Sequence, residues 1–132
     1  RATPIGRRKM WKSFMAAVLL VSSAAAHELT PTYPEFKPHI VDGVYYTKLH
    51  MWNRREDVKY YEISVHDAEW NKIPFHSKNK IMKLEHLEHL DFEINIRKSD
   101  LDRIEFICTT SKHLKSDVTG TGVRSRICSR VK

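Results

Sequence analysis

The sequence predicts an all-β domain of antiparallel strands. Three observations carry that expectation. Apolar and polar residues alternate with a period of two in several short runs. Turn-forming residues separate the runs. The two cysteines, Cys108 and Cys128, both sit in such runs. A chain patterned this way closes into a sandwich or a barrel.

Each element follows from its residues. The stretch 28–43 holds Pro31, Pro34 and Pro38 and ends in the turn pair Asp42-Gly43. Proline offers no amide to a ladder, so this stretch is extended, pairs incompletely and runs along an edge. Residues 44–52 put Leu49 and Met51 on one face and Lys48 and His50 on the other; 53–57 are a polar turn. In 58–66, Tyr61, Ile63 and Val65 oppose Tyr60, Glu62, Ser64 and His66. A second turn covers 67–72, and residues 73–75, with Pro74 at the centre, read as a short edge strand. Ile81, Met82 and Leu84 begin the next element. Residues 84–90 have helix-like spacing, and one turn of helix is expected at 99–103. Phe92, Ile94 and Ile96 alternate with Glu93, Asn95 and Arg97, and Ile104, Phe106 and Cys108 alternate with Glu105, Ile107 and Thr109. A polar loop spans 109–122. The last strand, 123–131, turns Val123, Ser125, Ile127, Ser129 and Val131 one way and Arg124, Arg126, Cys128 and Arg130 the other.

Ahead of the domain, residues 1–26 read as an N-terminal extension and a cleavable, helical secretory signal peptide. Arg7, Arg8, Lys9 and Lys12 precede the apolar run 14–21, and small residues at Ala24 and Ala26 suit a signal peptidase. Met10 is the expected start. The apolar run is too short to span a bilayer, so no stable membrane span is expected. Cleavage after Ala26 leaves one domain, 27–132, secreted and most simply periplasmic or at the cell surface. The leader also holds five of the 23 cations and none of the 16 acids. The remainder carries a net of +2, which removes the electrostatic case for nucleic-acid binding. A domain of this size gains from a covalent staple, and in an oxidising compartment Cys108 and Cys128 are expected to form one. There is no CxxC pair to suggest redox exchange or a zinc site.

The order of these runs resembles a known family. Ile40, Val41, Asp42 and Gly43 lead into a strand. A strand–turn–strand surrounds Trp52, Asn53 and Arg54. The run 60–67 ends in a polar turn before Asn71, Lys72, Ile73 and Pro74. Lys83, Leu84 and Glu85 precede the alternating 92–97, and 103–108 follow a short turn. Residues 40–111 thereby resemble the N-terminal immunoglobulin-like domain of periplasmic pilus chaperones, the PapD-like fold. The resemblance implies a sandwich of about seven strands. It also implies a non-enzymatic assembly role, in which an edge strand is lent to an incomplete protein partner. Here that strand is 123–131, with Val123, Ile127 and Val131 as the inserting side chains and Arg124, Arg126 and Arg130 on the other face. Family members carry a second domain and anchor a partner's C-terminal carboxylate with an Arg and a Lys in the cleft between domains. No residue of this chain matches that role. The resemblance implies no cofactor.

Two other readings stand beside it. If cleavage exposes His27, its amine and imidazole can chelate copper as a histidine brace, with His50 and His66, on the polar faces of adjacent expected strands, as candidates for the remaining ligand. Alternatively the domain is a structural component of an extracellular or surface assembly, which predicts self-association. Catalysis has little support. His86 and His89 are three apart with Glu88 between, a spacing that could ligate zinc on a helical turn, but HExxH is absent. Asp67, Glu69, Asp100 and Asp102 lie in turns, where Asp is favoured for bonding to nearby backbone amides. No catalytic residue is assigned.

Overall fold

The period-two runs pair into two antiparallel sheets whose apolar faces meet. The computed structural model describes residues 26–113 and 124–131. Eight strands appear in order: β1 (Glu28–Thr30), β2 (Lys37–Pro38), β3 (Val44–Trp52), β4 (Tyr60–His66), β5 (Ile81–Lys83), β6 (His89–Arg97), β7 (Phe106–Lys112) and β8 (Arg126–Arg130). A single 3-10 segment, Lys98–Arg103, joins β6 to β7. In the first sheet β3 is central, with β6 along one side and β1 and β2 end to end along the other. The second sheet runs β5-β4-β7-β8. Since β1 and β2 are two pieces of one proline-interrupted edge, the expected count of about seven strands holds. Residues 1–25 of the expected leader, and Val123, lie outside the described residues.

Leu49 and Met51 of β3 pair with Phe92 and Leu90 of β6, while Thr47 and Tyr45 pair with Ile94 and Ile96. The second sheet supplies Tyr61, Ile63 and Val65 from β4 and Ile107 from β7. Leu29, Val58, Ile73, Met82, Leu84 and Ile104 close the periphery of this core. Burying such side chains stabilises the domain by roughly 1.5–3 kcal/mol each against full exposure.

Two segments change sheets and shut the sides of the sandwich. On one side the Ile73 amide donates to Val65 O (2.8 Å) in the second sheet. Three residues later His76 exchanges backbone bonds with Asn95 of the first (2.9 and 2.8 Å). Pro74 sits at the crossing, where isolated bridges at Lys72 and His76 stand in place of the short edge strand expected over 73–75. On the other side β1 pairs with β3, and the chain then reaches β8, where Thr32 O accepts the Arg130 amide at 2.9 Å.

Two further expectations need correction. Residues 84–90 are not helical: Leu84 is buried, Leu87 is 54% exposed at φ +65°, and β6 has begun by His89. The three leucines therefore do not share one face, which a helical turn would require. In addition, β7 runs on to Lys112, into the stretch expected to be loop. Thr109 and Ser111 are polar but fully buried, and they continue the inward row because His27 and Ser125 provide hydrogen bonds there.

Candidate functional site

The alternation along the last strand is realised. Ser129 is buried, and Ile127 and Val131 pack against the core, whereas Arg124, Arg126 and Arg130 are exposed. β8 is therefore an edge strand with its apolar side chains turned into its own domain. Ile127 and Val131, expected as the inserting side chains, are partly buried against the domain's own core.

The same period governs the backbone. Ser111 N donates to Ser125 O, and Val131 N donates to Glu105 O, so the odd-numbered residues bond toward β7. Arg130 N donates the other way, to Thr32 O. By alternation the amides and carbonyls of Arg126 and Cys128 face outward, away from β7. Among the described residues β8 ends its sheet.

Three devices hold this edge in place. The first is the disulfide. Cys108 and Cys128 are direct cross-strand partners, bonded with their Cα atoms 4.0 Å apart. The second is a polar cluster at the start of β8. Ser125 N donates to Ser111 Oγ at 2.8 Å. Ser125 Oγ lies 3.2 Å from His27 Nδ1 and 3.3 Å from the Arg55 guanidinium. Arg55 is in turn paired with Asp57 at 2.6 Å. The third device is the exit from β1, where the Ser129 hydroxyl donates to Pro31 O at 2.7 Å beside the Thr32–Arg130 bond. The flanks of β1 thus grip β8 at both ends.

His27 is the centre of the polar cluster. Its Nε2 lies 2.9 Å from Thr109 Oγ1 and 3.2 Å from Thr109 O, and its ring tilts against Tyr61 at 4.6 Å. A neutral ring carrying its proton on Nε2 donates to Thr109 and accepts from Ser125, which satisfies both nitrogens. Burial pushes its pKa down to about 4. The Thr109 carbonyl opposes that shift and the Arg55 charge adds to it.

The outer surface next to β8 is aromatic and cationic. Trp70, at φ +66°, folds back so that its ring stacks on Phe106 at 4.3 Å and 3°. Arg126 reaches over the same indole at 6.0 Å, and Arg130 pairs with Glu105 at 2.9 Å.

The three histidines considered for copper do not meet. His27 is buried between the sheets. His50 lies on β3 between Asp91 and His89, and His66 on β4 contacts Ser64 Oγ (2.9 Å) and Trp70 O (3.3 Å). His86 stands 3.9 Å from Glu56, apart from His89's partners. No group of three metal-ligating side chains gathers among the described residues. Nor is any helix among them long and apolar enough to cross a membrane.

Sequence reasoning missed Asn53, which reads as an ordinary turn residue. It is fully buried. Its Nδ2 donates to Val58 O (2.7 Å) and Leu84 O (2.9 Å), and its Oδ1 accepts from the Tyr61 hydroxyl at 2.6 Å. Its backbone also bonds Glu88 and Leu87, so it pins the β3–β4 turn to the 84–88 turn. Thr109 and Ser111 were passed over too. A hydroxyl interrupting an apolar row is the signal that could have found them.

No protein-family model and no curated protein matches the chain. Solved structures do. A chain of the Salmonella enterica SafA pilin in complex with the SafB chaperone aligns over 84% of this chain and 55% of that one, at a TM-score of 0.59 and 13% identity. The periplasmic chaperone SfaE aligns over 81% of this chain and 56% of that one, at 0.51 and 14%. The chain spans about half the length of the structures it matches. At this identity the likeness establishes architecture: the domain has the immunoglobulin-like sandwich fold found in pilus chaperones.

Proposed function

We propose that the domain is a non-enzymatic binding module that works outside the cytosol and takes an extended segment of a protein partner along the outer edge of β8. The observation that carries this reading is the edge itself, with the Arg126 and Cys128 backbone facing outward on a strand clamped at both ends and tied by a disulfide. Rigid placement reduces the entropy lost when a partner strand docks. The pairing of the SafA pilin with the SafB chaperone supports a protein rather than a small molecule as the ligand. Because Ile127 and Val131 are engaged internally, affinity comes from backbone bonds and from the outward arginines, not from an inserted apolar row.

A different chain is favoured over a second copy. Two β8 edges paired antiparallel about a two-fold axis would set Arg124, Arg126 and Arg130 against one another, and like charges directly opposed across strands are destabilising.

The test uses proline. Arg126→Pro removes an outward amide while leaving the β7 ladder intact, which an edge strand tolerates. The protein is co-produced with a pilin-type subunit lacking its final strand, SafA first. The expected result is a complex that Arg126→Pro abolishes and Arg126→Ala only weakens. Equal binding by Arg126→Pro, or hydrogen-exchange protection that maps away from β8, refutes the reading.

A further inference from the structure

A second constellation lies on the outer face of the other sheet. Register places Asp91 directly opposite His50, and His89 directly opposite Trp52, across the β3–β6 pair. His50 and His89 are thus diagonal neighbours on one face. Their facing nitrogens, His50 Nε2 and His89 Nδ1, are hydrogen-bonded at 2.8 Å.

Both rings are already aimed. His50 donates from Nδ1 to Asp91 at 2.5 Å, which fixes its orientation and directs Nε2 at His89. His89 stacks on Trp52 at 5.0 Å and 9°, and the Arg54 guanidinium lies over the same indole at 5.1 Å. Arg54 is held by Glu28 at 3.1 Å. Neither ring needs a new partner to keep its pose, and β3 and β6 are the two longest strands of the fold.

We propose that His50 Nε2 and His89 Nδ1 form a two-nitrogen site for a divalent transition-metal ion. Two nitrogens bound about 2.0–2.1 Å from one ion in neighbouring positions stand roughly 3 Å apart, so an ion takes the place of the 2.8 Å hydrogen bond, with a small opening of the pair and the His89 proton moving from Nδ1 to Nε2. The hydrogen bond from the far nitrogen of a ligating imidazole to a carboxylate is the usual support for such a ligand. Here Asp91 supplies it without coordinating. Two imidazoles suit Cu2+ above Zn2+ on the general affinity order. His50 is 42% exposed, so water or a donor from another molecule completes the coordination. The site is separate from β8 and does not depend on the binding role proposed for that edge. It also differs from a brace at His27, which shares only His50 with it.

The probe is Cu2+ alone, titrated into the purified protein while tryptophan emission is followed. Trp52 lies against His89, so a bound paramagnetic ion quenches it. The expected result is saturable quenching at one ion per chain, lost in Trp52→Phe. Affinity falls about tenfold in Asp91→Asn and further in His50→Gln or His89→Gln. In the unaltered protein, paramagnetic broadening begins at the His50 and His89 ring protons, which keeps the test independent of how the variants fold. Broadening that begins elsewhere overturns the proposal. So does binding that survives both histidine changes, as copper held at His27 would.

Discussion

Acidification tests the buried polar cluster most directly. His27 has an ordinary pKa of 6.5 and is pushed to about 4 by burial in the folded chain. Above pH 6.5 the ring is neutral in both the folded and unfolded states and makes no difference to stability. As pH falls below 6.5 the unfolded chain takes a proton that the folded chain refuses, so stability is lost progressively until about pH 4. A shift of this size corresponds to about 3 kcal/mol in full, of which about 2 kcal/mol is lost between pH 7.5 and pH 5. The window above pH 5 avoids the carboxylates, such as Asp57, whose pKa is held low by Arg55. Urea unfolding at the two pH values measures the loss. His66 is also lowered by burial and adds to the slope in the same direction, so the comparison is with His27→Gln, which keeps His66. The variant should lose about 2 kcal/mol less than the parent over this interval. An equal loss in both proteins refutes the account of His27 as a neutral, buried ring.

Other outcomes follow from the same packing. Asn53→Ala leaves the Tyr61 hydroxyl and the Val58 and Leu84 carbonyls without their partner, and should cost about 3 kcal/mol in a denaturant midpoint. Replacing both Cys108 and Cys128 with Ser opens a closure of 20 positions and should cost about 3 kcal/mol, read by thermal unfolding with and without reductant. Reductant should leave the double variant unmoved. Trp70→Ala removes the stack on Phe106 and should cost about 1 kcal/mol beyond the area lost, seen as a lowered unfolding midpoint.

Much of this fold was legible because one face of most strands is buried. In β3 the alternation of Leu49 and Met51 with Lys48 and His50 leaves a single workable register, and the strand spans the stretch expected of it. The last strand was legible for the same reason, down to which side its arginines take. What periodicity could not reveal was polar burial. His27, Asn53 and Thr109 look like surface residues in sequence, and only partners brought together by the fold make their burial affordable. The 84–90 turn was misread because its leucines repeat at helical intervals while serving separate neighbours. What the apolar side chains of the last strand face was not legible either: Ile127 and Val131 pack against the domain's own core. Strand alternation says that Ile127 and Val131 share a side, not that the domain's own core lies on that side.

The grip of the β1 flanks on β8 bears on how the domain is made. His27 bonds to Ser125, and Pro31 to Ser129, each across 98 positions of chain. The first part of the domain to be synthesised therefore waits for the last before either can settle. Contacts so distant in sequence slow folding, because the long closure must be made before it is rewarded. A growing chain that has reached only β7 holds neither the disulfide nor the two clamps, and its second sheet ends on an unfinished edge. The domain is consequently most open to proteases and to stray strand pairing just before β8 arrives, and a chain without β8 should behave as an unfolded chain rather than as a slightly weakened one.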